Sequence, residues 1–322
     1  ASDVYKRQGI HHVVSLTDFM PSYSDVRLQA RQLLKNTACA EDVFDWELPF
    51  GFPSTQAYDA ILKWQRRASL NLGDPLLEDF LTVGLQNLYA ADALLEILDI
   101  DLVLISQPVN FDEGGLLWCA SMRKIHCIIV TGHGGLTRLR KGFSFERVFA
   151  GGDRPSIEDI KALKESQYRA LEQIGSTYLT CRQNGQTNEF GAIYAYHRRK
   201  GIVDRQKLSE LFGWSLKKPI VVVYAANWFD YPHAFGMKNF RDYLDWMQVT
   251  FDIAVKTPTV NWLFKAHPCD DWYGGETLTD LLPSELPNHI GIVPTTMNSK
   301  NLIESVDAMV TVHGTAALEF SH

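Results

Sequence analysis

No run in the 322 residues approaches the roughly 18 consecutive apolar residues that span a bilayer, and no signal-peptide pattern opens the chain. A helical membrane span is thereby excluded, so any membrane association is expected to be peripheral. The five cysteines, Cys39, Cys119, Cys127, Cys181 and Cys269, are odd in number and form no CxxC pair. Scattered thiols of this kind fit buried side chains in a reduced, cytoplasmic protein. Positive charge is also short: 31 Lys and Arg stand against 38 Asp and Glu, for a net charge of -7. That balance argues against a general nucleic-acid or anionic-membrane surface, while leaving room for a local basic pocket. No GxGxxG, P-loop or GxSxG motif occurs, and no metal ligand set is legible. Asp99-Ile-Asp101 has DxD spacing but stands where a helix passes into a strand, and Asp270-Asp271 lacks an evident third ligand.

What is present is globular: 46% apolar and 21% charged residues, in a chain long enough for two domains with real cores. Ala1 to Gln8 reads as an unrelated polar leader, and the chain is expected to be a piece whose carboxyl-terminal part is missing. His11 to Leu16 is expected as a first strand. Helical spacing follows over Asp25 to Lys35, Thr55 to Arg67 and Pro75 to Leu98, the last behind Asp74 as N-cap. Asp101 to Ser106 and Ile125 to Val130 read as buried strands. Between them lie a loop, Gln107 to Gly115, and a helix, Leu116 to Arg123. Ser156 to Ile174 is expected as one helix, and the polar stretch Thr177 to Phe212 as the connection between domains.

From Pro219 a second alternating set begins. Strands are expected at Ile220 to Tyr224, Asn261 to Phe264, His289 to Val293 and Ala308 to Val312. Helices are expected over Asn239 to Lys256, Thr277 to Leu282 and Lys300 to Val306. Two of these strands end in polar turns, Lys265-Ala-His-Pro268 and His313-Gly-Thr315. In a parallel α/β sheet such turns lie at the carboxyl ends of strands, where ligands bind.

His267 is presented by the turn that Pro268 fixes, where it can donate to a phosphate oxygen, with Lys265 adding charge. Gly314 allows close backbone approach, Thr315 is placed to cap a helix that begins at Ala316, and helix amino termini receive phosphate. Glu319 is one turn on, where a carboxylate can accept from ribose hydroxyls. Asn227 and His233, with Asp230, lie in the loop after the first strand of this half. In the first half, Asp112 and Glu113, and His133 within Gly132-His-Gly-Gly135, are candidate general bases on expected loops, with Arg138 and Arg140 near an anionic acceptor. The plainer reading of each turn is an ordinary strand end, a cap or a glycine-rich loop.

With these residues in place the chain resembles the GT-B glycosyltransferases, and among them the bacterial capsule polysaccharide biosynthesis proteins that include Kdo transferases. The resemblance rests on the second half: Asn227 to His233, then Lys265-Ala-His-Pro268, then Val310-Thr-Val-His-Gly-Thr-Ala-Ala-Leu-Glu319. It departs at His313, where many relatives carry serine or threonine. The resemblance implies that His267, Gly314 and Thr315 hold the donor's phosphates.

The expected fold is therefore α/β, with two Rossmann-like domains facing a cleft and the carboxyl-terminal one truncated. Residues 9–176 are expected on the acceptor side, 177–216 as the connection and 217–322 as the nucleotide-sugar domain. The expected function is metal-independent transfer of a sugar from a nucleotide sugar, a CMP-linked one among the candidates, to a surface or capsular glycan or glycolipid. No further cofactor and no nucleic-acid partner are expected, and the location is the cytoplasm or the cytoplasmic face of the membrane. A nucleotide-sugar epimerase and a non-catalytic subunit of a polysaccharide-assembly complex are the alternatives.

Overall fold

The structure is a computed structural model describing residues 9, 12–133, 136–142, 157–197 and 199–321, with the backbone alone for 131–133 and 136–142. These residues form two compact units. One comprises the described parts of Ala1–Ile61, Leu72–Val130 and Leu139–Phe149, the other those of Leu62–Asn71, Thr131–Arg138 and Ala150–His322.

Helices α1 (Tyr23–Lys35), α2 (Ser54–Gln65) and α3 (Leu77–Ile97) lead into β1 (Leu102–Ile105), α4 (Glu113–Met122), β2 (His126–His133) and β3 (Leu136–Gly142). The chain passes between the units more than once, first within α2, between Ile61 and Leu62. Strands β1 and β2 are parallel, with Leu102 opposite His126 and Ile105 opposite Ile129, and β3 follows β2 in the sheet. Val103, Ile105, Cys127 and Ile129 form a core with Ala91 and Leu95 of α3 and Leu117 and Ala120 of α4.

Three expectations are corrected here. The described part of His11 to Leu16 is no strand. Ser15 instead caps a 3-10 turn, Leu16–Phe19, its Oγ accepting from Thr17 N at 3.3 Å while Asp18 reaches back to Ser15 N. The loop expected over Gln107 to Gly115 ends early, because Asp112 caps α4 and Oδ1 accepts from Glu113 N at 2.8 Å. Gly114 and Gly115 there serve close packing: an added Cβ would meet Val109 C at 2.9 Å and Leu88 Cδ2 at 2.7 Å. The helix expected over 156–174 is two, α5 (Ile157–Lys161) and α6 (Glu165–Gln183), separated where Gln167 folds back to Lys164 N. Ser156, where the helix was expected to begin, lies outside the described residues.

Thr177 to Phe212 holds the end of α6, α7 (Phe190–Ala195) and α8 (Arg205–Phe212), and buries Arg182, Tyr196 and Leu208. After it come β4 (Ile220–Tyr224), α9 (Tyr243–Lys256), β5 (Asn261–Lys265), α10 (Leu278–Leu281), β6 (Ile290–Ile292), α11 (Ser299–Ser305), β7 (Ala308–Thr311) and α12 (Ala316–Ser321). The four strands form one parallel sheet in the order β6-β5-β4-β7. On one face Ile220, Val222, Tyr224 and Leu263 pack with Leu208 and Leu302 from α8 and α11. Phe264, pointing the other way by strand alternation, stacks at a tilt on Phe251 of α9 with centroids 5.6 Å apart. All five residues of β5 are buried, as a strand covered on both faces requires. The α/β class thus holds. Among the described residues no helix is long and apolar enough to cross a membrane.

Candidate functional site

In the second sheet the chain adds β5 and β6 on one side of β4 and then returns to place β7 on the other. The strand order thus reverses at β4, and the carboxyl ends of β4 and β7 meet at this switch point, where open α/β sheets bind ligands. The register sets Tyr224 level with both Lys265 and Thr311. The segments starting at Ala225, Ala266 and Val312 thus leave the sheet side by side, carrying Asn227 and His233, then His267 and Pro268, then His313, Gly314 and Thr315. The two histidine turns share one sheet edge, but β4 separates them.

At the end of β5 the Lys265 side chain is enclosed. Its Nζ lies 5.0 Å from the Tyr224 ring centroid and 3.4 Å from Ala266 O, and no carboxylate pairs with it among the described residues. Burial pushes this amine down to about 8, Lys200 adds to the fall and Glu319 opposes it. Burial likewise holds His267 down to about 4, assisted by Lys265 and opposed by Asp230, so the ring is neutral near pH 7. His267 Nδ1 accepts from Cys269 N at 3.2 Å, which places the ring proton on Nε2. The turn therefore offers one ammonium and one imidazole N–H, both suited to an anion. Tyr224 adds a buried hydroxyl without a hydrogen-bond partner among the described residues.

The turn after β7 is fixed by Thr311 Oγ1, which lies 2.9 Å from His313 O and 3.3 Å from Tyr224 O. His313 stacks on Phe235 from the loop after β4, centroids 4.7 Å apart and planes 18° from parallel. A crevice of about 170 Å³ lies there, lined by Pro232, Phe235, Met237, Tyr243, Val312 and His313. Gly314 adopts φ 123, a backbone conformation that side chains rarely tolerate, and no atom approaches within 4 Å of where its Cβ would sit. Thr315 O receives Leu318 N at 3.0 Å and Glu319 N at 3.1 Å, which starts α12.

The loop after β4 is buried from Ala225 to Phe229, including Asn227, while His233 is half-buried. Lys63 pins this loop. Its Nζ is 2.9 Å from Asp230 Oδ1 and within 5.4 Å of the ring centroids of Phe229, Tyr231 and Tyr273. Nearby, Ser69 Oγ donates to Asp242 Oδ2 at 2.7 Å, and Asp242 caps α9. Lys63 and Ser69 carried no signal in the sequence, being chemically ordinary residues far from this loop along the chain.

Glu319, expected at a ribose, has both carboxylate oxygens engaged inside the protein, Oε1 by Arg182 Nε and Oε2 by the Tyr196 hydroxyl. Arg182 also donates to Glu189 and, through Nη2 at 2.9 Å, to Thr315 Oγ1. Tyr178 OH completes the cluster on Glu189 at 2.6 Å. Burial alone would lower the guanidinium pKa, but the hydrogen bonds it donates to Glu319 and Glu189 outweigh that and raise it. The one clue in the sequence was Tyr178 and Arg182 at i,i+4 spacing, which puts both on one helix face.

In the first unit Glu113 is held at the carboxyl end of β1, accepting from Ser106 N at 3.0 Å and Gln107 N at 2.7 Å. Asp112 is engaged as the cap of α4. His133 is the last residue of β2, its side chain outside the described residues, as are Gly134 and Gly135; of Arg138 and Arg140 only the backbone, in β3, is described. Among the described residues no group of three His, Cys, Asp or Glu side chains could hold a metal. Burial, reinforced by Asp271, pushes Asp270 up to about 6, against the Leu278 N–H that it accepts at 2.8 Å. No known protein family, curated protein or solved structure matches this chain.

Proposed function

We propose that this protein is a GT-B-type glycosyltransferase that takes a nucleotide sugar, with the donor's phosphates held at the carboxyl ends of β4, β5 and β7. The observation that carries this reading is Lys265: a buried ammonium with no carboxylate partner, at the mouth of a parallel strand beside the Nε2–H of His267. A buried charge without a counter-ion is costly, and an anionic ligand removes that cost. Gly314 supports the reading because its open, positive-φ turn leaves the backbone accessible at the neighbouring edge of β4.

In the proposed reaction an acceptor hydroxyl oxygen attacks the anomeric carbon. The carbon–oxygen bond to the nucleotide breaks, and the leaving phosphate keeps the electron pair. Lys265 and His267 stabilise that growing negative charge. A side-chain base takes the hydroxyl proton, for which Glu113 and Asp112 of the first unit and His133 are the candidates. The finer placement, two Rossmann-like halves with donor and glycan acceptor on opposite sides of a cleft, belongs to the same proposal. So does action at the cytoplasmic face of a membrane. Product analysis after incubation with nucleotide sugars, with and without a glycan acceptor, tests it: a new glycosidic bond supports transfer, and altered donor without acceptor does not.

A further inference from the structure

A second and larger cavity, of about 360 Å³, opens between the end of α6 and the start of α11, lined among others by Gln183, Asn184, Lys200, Asn298, Lys300 and Asn301. Its volume falls within the range of small-molecule sites, which the crevice beside His313 does not reach. The walls are joined by backbone: Gly201 N donates to Thr296 O at 2.8 Å and Asn298 N to Gly201 O at 3.2 Å. The lining contains no carboxylate. Lys200 Nζ has the face of Tyr194 at 4.1 Å and no ion pair, and Lys300 has no ion pair either, among the described residues. Two ammonium groups without counter-ions match a dianion. The surrounding amides, each both donor and acceptor, match hydroxyl groups.

We infer that this cavity binds a phosphate ester carried on a polyhydroxyl body, with Lys200 and Lys300 on the phosphate and the amides of Asn184, Gln186 and Asn301 on the hydroxyls. Lys200 also links the cavity to the β5 turn, since its charge is one of the causes that lower the Lys265 amine. An anion on Lys200 relieves that repulsion and favours a protonated Lys265. The inference stands whether or not the chain transfers sugars, because it needs only the ligand and these residues. Two sources share the chemistry, a nucleoside monophosphate unit and a phosphorylated sugar.

Calorimetric titration of the whole chain with CMP, UMP, ribose 5-phosphate, glucose 6-phosphate and unphosphorylated glucose tests it. Binding of at least one ester is expected, with no glucose binding and an affinity that falls as sodium chloride is raised. Lys200→Met and Lys300→Met should each weaken the ester at least about tenfold. Tighter binding of nucleotides identifies the first source, and tighter binding of sugar phosphates the second. Absence of binding by every ester, binding that ignores salt, or unchanged affinity in both variants would overturn the assignment. The salt titration uses the parent chain alone, so it decides the matter even if a lysine variant fails to fold.

Discussion

Arg182 donates through Nε to Glu319 across 137 residues of sequence, and both side chains are more than nine-tenths buried. Removing Arg182 leaves the buried carboxylates of Glu319 and Glu189 without their cation, which typically costs about 3–5 kcal/mol, whereas without Glu319 the guanidinium keeps Glu189. Arg182→Met should lower stability by about that much in urea unfolding and Glu319→Leu by less, and the double variant should lose clearly less than the sum. Simple additivity would show that the two side chains do not depend on one another.

His267 and Asp270 act on stability in opposite senses over the same pH range. Burial holds His267 at about 4 in the folded state against 6.5 in the unfolded, so the unfolded chain binds more protons between these values and stability rises with pH. Asp270 is pushed up to about 6 from 3.8, chiefly by burial. The folded chain then binds more protons in that window, and stability falls as pH rises. Relative to the parent, His267→Asn should show a steeper fall between pH 4 and 6, and Asp270→Asn a steeper rise. Chemical unfolding at stepped pH measures both, and profiles parallel to the parent would contradict the burial of these groups.

Much of the second unit was legible because its strands are short apolar runs bounded by turn signals: Pro219 before Ile220, and polar turns after Phe264 and Val312. Helix starts were less legible: the helix expected from Asn239 begins only at Tyr243, behind Asp242 as its cap. What local patterns do not contain is partnership over distance. The placement of β7 beside β4, the Lys63 contacts with the loop after β4, and the Arg182–Glu319 pair all join residues far apart in sequence. Glu319 shows the effect on a site residue: its position on α12 was readable, but the partners that engage its carboxylate were not. Gly114 and Gly115 misled for a different reason, since glycine looks alike whether it loosens a loop or admits a close neighbour.

Two glycine substitutions should have opposite signs. At Gly275 an added Cβ would meet Arg66 O and Phe229 Cε1, each at 2.5 Å, where the segment carrying Lys63 crosses the loop after β5. Gly275→Ala should destabilise by roughly 1–3 kcal/mol. Gly175, inside α6, has nothing within 4 Å, so Gly175→Ala should stabilise by about 0.5–1 kcal/mol through helix propensity. Thermal melts of the two variants beside the parent check the contrast, and a shift in the same direction for both would contradict it.

The most direct measurement is the thermal midpoint of the chain across a panel of nucleotides and nucleotide sugars, repeated in His267→Ala. A ligand bound only by the folded state raises the midpoint by mass action, by an amount equivalent to about 2.7 kcal/mol at one hundred times its dissociation constant. We expect at least one nucleotide sugar to raise the parent's midpoint, and the rise to be largely lost in His267→Ala while that variant still melts cooperatively without ligand. No shift from any nucleotide, or an undiminished shift in His267→Ala, would contradict the donor site proposed at the end of β5.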